Sequence, residues 1–128
     1  MKSLTSVLFA ILVLLFVTST GLAQDPVKVD SSHYKVEFEN DQVRAIRIHV
    51  GPHEKSPMHE HPESVVIFLT DGHGKFTFPD GKVEEVSWKA GEMAWFPAVK
   101  HQPENLSDQP LDIIQIEMKP QPKMTEKN

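Results

Sequence analysis

Apolar residues recur with a period of two through most of this chain. Tyr34, Val36 and Phe38 alternate with Lys35, Glu37 and Glu39, and Ile46, Ile48 and Val50 alternate with Arg47 and His49. Such alternation buries one face of an extended segment and leaves the other wet. Residues 64–70 (SVVIFLT) form a nearly continuous apolar run. Phe76 with Phe78, Val83 through Trp88, Met93 through Phe96 and Leu111 through Met118 predict the remaining strands. Asn40-Asp41, Gly51-Pro52, Asp71-Gly72-His73-Gly74, Pro79-Asp80-Gly81-Lys82 and Lys89-Ala90-Gly91 read as the turns between them. No helical period is sustained beyond residue 23. Short strands broken by turns every eight to twelve residues or so predict an all-β fold. The expected architecture is one small antiparallel β-barrel over residues 34–119.

The two ends read differently. A lysine at position 2 precedes an apolar run over residues 4–17, and Gly21 and Ala23 place small residues where a signal peptidase cuts. The run is shorter than the roughly 20 apolar residues of a membrane span. A signal peptide over residues 1–23, removed before Gln24, is therefore expected. The mature protein would be exported, periplasmic or secreted, with no membrane anchor after cleavage. Residues 24–33 read as a polar arm that orders only on contact. Residues 120–128, polar and carrying Pro120 and Pro122, read as a disordered tail.

Charge and composition narrow the partners. The chain carries a net charge of −5 and has no basic cluster to follow a phosphate backbone, so nucleic acid is not an expected partner. It has no cysteine, which removes disulfides, zinc-thiolate sites and thiol catalysis together. A small exported domain without disulfides relies on its core, a metal or a second copy. A homodimer covering the barrel edges is the expected assembly.

The candidate chemistry lies in the histidines. His59 and His61, one residue apart, point to the same face of an extended strand, and neutral imidazole is the commonest side-chain metal ligand. An isolated H-x-H pair among seven histidines is a weak signal. His33, His49, His53 and His73 read as exposed loop residues. Pro97 is expected to stop a strand before a loop that delivers His101. Asn105 is expected to fix a turn, Trp95 and Phe96 to belong to core or pocket wall, and Met58 and Met93 to line the cavity or fill core.

Gly51, His59, His61 and Gly72, followed by Gly91, Pro97, His101 and Asn105, resemble the two motifs of the cupin superfamily. The likeness spans about residues 38–119 and implies a jelly-roll-like double-stranded β-helix. It also implies a site in which His59, His61 and His101 bind one divalent transition metal ion, with iron, zinc, nickel and copper the imidazole-compatible choices. The chain departs from both motifs: the gap from Gly51 to His59 is two residues longer than the usual spacing, and the second motif is one residue shorter between Pro97 and His101. Val99 stands at the middle glycine of the second motif, and Val65 stands where the family's ligand glutamate is expected. Glu63, two residues beyond His61, is a candidate substitute fourth ligand.

Three protein ligands with an open position are the usual form of a catalytic site. A dioxygenase, isomerase or decarboxylase acting on a small molecule, carboxylates included, is the leading expectation. The alternative is a non-catalytic module of the cell envelope that binds a metal or a small ligand.

Overall fold

The computed structural model of the protein describes residues 24–124. The expected signal peptide and the last four residues of the expected tail lie outside them. The chain forms a one-turn helix α1 (Pro26–Val29) and nine strands among the described residues. These are β1 (Tyr34–Glu39), β2 (Val43–Val50), β3 (His59–His61), β4 (Ser64–Phe68), β5 (Gly72–Thr77), β6 (Val83–Trp88), β7 (Met93–Phe96), β8 (Val99–Asn105) and β9 (Leu111–Met118). A five-stranded sheet runs β1-β2-β9-β4-β7 and a four-stranded sheet runs β3-β8-β5-β6. Every pairing is antiparallel. The all-β fold expected from the alternation is the fold observed.

The alternation also says which face is buried. Ile46, Ile48 and Val50 of β2, Val66 and Phe68 of β4 and Leu111 of β9 point inward, and Trp88 closes the core from the opposite sheet by stacking on Phe68 at 4.6 Å. Fully burying a side chain such as Ile46 contributes about 1.5–3 kcal/mol. Odd and even positions of β9 separate in the same way. Leu111, Gln115 and Glu117 are buried, which puts two polar side chains on the core face.

Three local expectations are corrected. Gly72 to Gly74 is not a turn but the first half of β5. The glycines are there because the indole of Trp88 lies against the backbone, and a Cβ on Gly72 would sit 2.4 Å from that ring. Residues 99–105 (VKHQPEN) are a strand rather than a loop. Pro103 and the polar run hid that strand, yet Pro103 pairs with Phe76 just past the point, between His101 and Gln102, where β8 changes partner from β3 to β5. The polar arm also carries structure. Asp25 caps α1 by accepting from the Val27 N–H at 3.0 Å, and Pro26 stands at its start.

One prediction follows from the indole contact. Gly72→Ala should lower thermal stability by an amount typical of overpacking, about 1–3 kcal/mol. Gly81→Ala, with open space around it but a φ of +86°, should cost less. Equal midpoints in chemical denaturation would remove this explanation of Gly72.

Candidate metal centre

β3 has only three residues, and its burial pattern is histidine in, Glu60 out, histidine in. It pairs with β8 so that His59 lies directly opposite His101. Directly opposed residues of an antiparallel pair share a face with Cβ atoms about 5 Å apart. Strand period and register together thus bring three imidazoles to one point. The rings meet edge to face, at centroid distances of 4.8 Å (His59–His61), 5.1 Å (His59–His101) and 5.4 Å (His61–His101). One nitrogen from each lies within 4.8 Å of the other two, and the cluster could hold a metal ion.

Proton bookkeeping defines what this cluster lacks. His59 Nδ1 is 2.8 Å from the carbonyl of Pro57, which can only accept, so that nitrogen carries a proton. His61 Nδ1 is 2.8 Å from Oε1 of Glu117 and donates to it. In the neutral rings both lone pairs are therefore on Nε2, and these two atoms face each other at 3.0 Å. Two lone pairs so placed repel unless something electron-poor, a metal ion or a proton, lies between them. This donor set fits a metal ion.

The surroundings favour the neutral, ligating forms. Burial, and then the neighbouring His61, lower the His59 pKa to about 4. Burial, followed by His61 and His59, lowers that of His101 to about 3. Tyr34 packs its ring edge-on to His59 at 4.9 Å, and Phe76 stacks on His101 at 5.1 Å with the planes 6° apart. A cavity of about 80 Å³ opens beside the cluster. His61, His101, Val66, Phe76, Phe96 and Gln115 contribute to its wall. By volume it has room for a few waters or a molecule of few heavy atoms, not for a large ligand.

Glu63 is exposed and is not among the clustered donors. Val65 pairs with Trp95 and Ile116 on the outer face of the sheet, so a carboxylate there would point away from the cavity; the inward residue is Val66. Asn105 is buried and structural, as expected. Its amide donates to the carbonyls of Gly51 and Gln109, and its oxygen accepts from Ser107. Phe96 packs against the core, whereas Trp95 and Met93 are exposed rather than lining the cavity. Met58 is half-buried.

Of the four histidines read as exposed loop residues, His49 and His53 are exposed, but His49 belongs to β2 and His73 to β5. His33 is half-buried. Its two nitrogens bond Asp30 and Glu54 at 2.7 Å each.

The carboxylate of the site was missed by sequence reasoning. Glu117 is 2% exposed, accepts from His61 at Oε1 and accepts from Arg44 at Oε2, each at 2.8 Å. The available signal was its inward parity on β9, where a charged residue in a core position calls for a partner.

A family model described as "Cupin domain" matches residues 46–117. Among solved structures, a cupin domain from Bordetella pertussis Tohama I is 25% identical, with a TM-score of 0.64 over 68% of this chain and 92% of that one. An uncharacterized conserved protein with a double-stranded β-helix domain, from Klebsiella pneumoniae, is 21% identical, with a TM-score of 0.53 over 65% of this chain and 72% of that one. An RmlC-like cupin family protein from Methanocaldococcus jannaschii is 20% identical, also with a TM-score of 0.53, over 70% of this chain and 83% of that one. The last two likenesses bear on the fold alone. No curated protein matches the chain.

Proposed function

The chain belongs to the cupin domain family, and from that premise we propose that it is an exported cupin holding one divalent transition metal ion through His59, His61 and His101. We propose further that it acts on a small molecule beside that ion. The observation that carries the metal reading is the pair of Nε2 atoms facing each other at 3.0 Å, with both Nδ1 protons already committed. Iron, zinc, nickel and copper all suit an imidazole set.

When bound, the ion would supply Lewis acidity or, for a redox metal, one-electron chemistry. The chain's own residues set the conditions for it. Phe76, Phe96 and Val66 keep the adjoining cavity apolar and limit bulk water. Pro57 and Glu117 hold two imidazoles in the ligating tautomer.

Proton-transfer groups are scarce at the cavity wall. The Glu104 carboxylate pairs with Lys75 at 2.8 Å, and the hydroxyl of Tyr34 accepts from Ser56. This scarcity favours dioxygenase chemistry over isomerisation or decarboxylation driven by a side-chain base. It equally fits a binding module of the cell envelope. Elemental analysis of protein exported by its host, followed by oxygen-consumption assays on the iron form with small acids and diols, tests the proposal. Metal without turnover would leave the binding module; no metal from any divalent ion offered would end the metal-dependent enzyme and the metal-binding module alike.

A homodimer through the outer face of the five-stranded sheet is part of this reading. Cross-strand registers align Phe38, Ala45, Ile116, Val65 and Trp95 in one apolar row across all five strands. Phe38 is 55% and Trp95 57% exposed, unusual for large aromatics on a monomer's surface. Trp95→Glu should convert the dimer to monomer in light scattering. A wild-type chain that is monomeric at high protein concentration would contradict this assembly.

A further inference from the structure

A chain of charged contacts runs from the start of the described residues to the histidine cluster. Arg44 lies on β2 and projects into the inward layer, where its Nε donates to Glu117 Oε2 at 2.8 Å and one terminal nitrogen approaches the same oxygen at 2.7 Å. The rest of the guanidinium fork is gripped by Asp25, at 2.7 Å to Oδ2 and 3.1 Å to Oδ1. The remaining oxygen of Glu117, Oε1, accepts from His61 Nδ1. All three side chains are largely removed from water, at 11%, 17% and 2% exposure for Asp25, Arg44 and Glu117. Bidentate carboxylate–guanidinium geometry of this kind fixes direction as well as supplying energy.

We propose that Arg44 and Asp25 are positioning residues of the metal centre. Arg44 fixes the Glu117 carboxylate so that Oε1 must meet His61 Nδ1–H, which aims the His61 Nε2 lone pair at the ion. Asp25, from the arm, locks Arg44 in that pose. Two carboxylates against one guanidinium also leave one net negative charge directly behind His61. That charge stands in for a ligand carboxylate, which no residue of β4 supplies: Val65 faces outward and the inward residue is Val66. The site is then not electrically neutral around a dication, as three imidazoles alone would be. The docked arm becomes a component of the metal site rather than a peripheral tether.

The proposal rests on the metal reading above, so its test separates the two. Co(II) is titrated into wild type, Asp25→Asn, Arg44→Lys and Arg44→Met, with His49→Ala as a surface control. The His61 tautomer is read by long-range 15N–1H correlation in the metal-free proteins. Asn caps helices as well as Asp does, so Asp25→Asn keeps α1 while removing the charged grip on Arg44. Arg44→Met should weaken Co(II) binding about 10- to 100-fold, the range for loss of an outer-shell partner. Asp25→Asn and Arg44→Lys should fall between it and wild type, with altered Co(II) absorption.

The three variants should also lose the single Nδ1–H tautomer of His61, a signature that a purely structural tether would not move. Wild-type affinity with an unchanged tautomer in a folded Asp25→Asn and Arg44→Lys would overturn the relay and leave the metal site standing. Absence of Co(II) binding by wild type would overturn the metal reading, and the relay with it.

Discussion

His101→Ala should abolish tight metal binding, with affinity falling by well over the roughly hundredfold that loss of an outer-shell partner causes. The ring is one of three donors whose nitrogens lie within 4.8 Å of each other, and among the described residues no other group joins that cluster. Removing it leaves two imidazoles from a single strand, a set that has lost its cross-strand half. The fold should survive. Residue 101 keeps some exposure, its backbone pairing in β8 does not need the ring, and the ring packs on Phe76 and on the other two imidazoles. Zinc or Co(II) titration should therefore show a folded protein whose melting temperature no longer responds to metal. His49→Ala, exposed on β2 and bonded to Asp112, should retain the wild-type response. A His101→Ala protein that still takes up one metal ion with wild-type affinity would remove His101 from the ligand set.

The part of this site that the sequence exposes is the part built by local geometry. A strand's period of two puts His59 and His61 on one face whatever the rest of the chain does. The alternating runs at Tyr34–Phe38 and Ile46–Val50 announce strands for the same reason. What stays hidden depends on register. That His101 opposes His59 is a property of the β3–β8 pairing, and residues 99–105 show no alternation because polar residues and Pro103 interrupt it. Glu117 and Arg44 meet His61 only because β9 pairs with β2 on one edge and β4 on the other, which brings residues distant in sequence into one inward layer.

Glu63 looked like the replacement carboxylate because it is close in sequence, but it is exposed. The carboxylate that reaches the histidines comes from the far end of the chain. Gly72 misled for a related reason. A glycine beside an aspartate reads as a turn, whereas here it makes room for an indole that is sixteen residues away in sequence and adjacent in space.

Acid should destabilise the metal-free protein over a defined window. The imidazoles of His59 and His101 have ordinary values near 6.5 when unfolded and are depressed to about 4 and about 3 in the fold, chiefly by burial. As pH falls through 6.5 the unfolded chain takes up protons at these positions while the folded chain does not, so the equilibrium shifts towards unfolding. The loss should accumulate from pH 6.5 down to the folded values and level off beneath them. His33 works in the opposite sense. Burial pulls its pKa down, but Asp30 and Glu54 outweigh that and leave it raised, so its contribution is complete in acid and fades as pH rises through the folded value.

The clean measurement is urea denaturation of metal-free protein between pH 7.5 and 3, set against His101→Ala. The variant should lose less stability across the acid window because one buried neutral imidazole is gone. Bound metal should steepen the wild-type dependence, since the ion stabilises only the neutral, folded ligand set and must yield to protons on unfolding. If the wild-type and His101→Ala curves run parallel from pH 6.5 to 4, burial of the His101 ring contributes nothing to the pH dependence of folding, and the electrostatic account of the cluster falls.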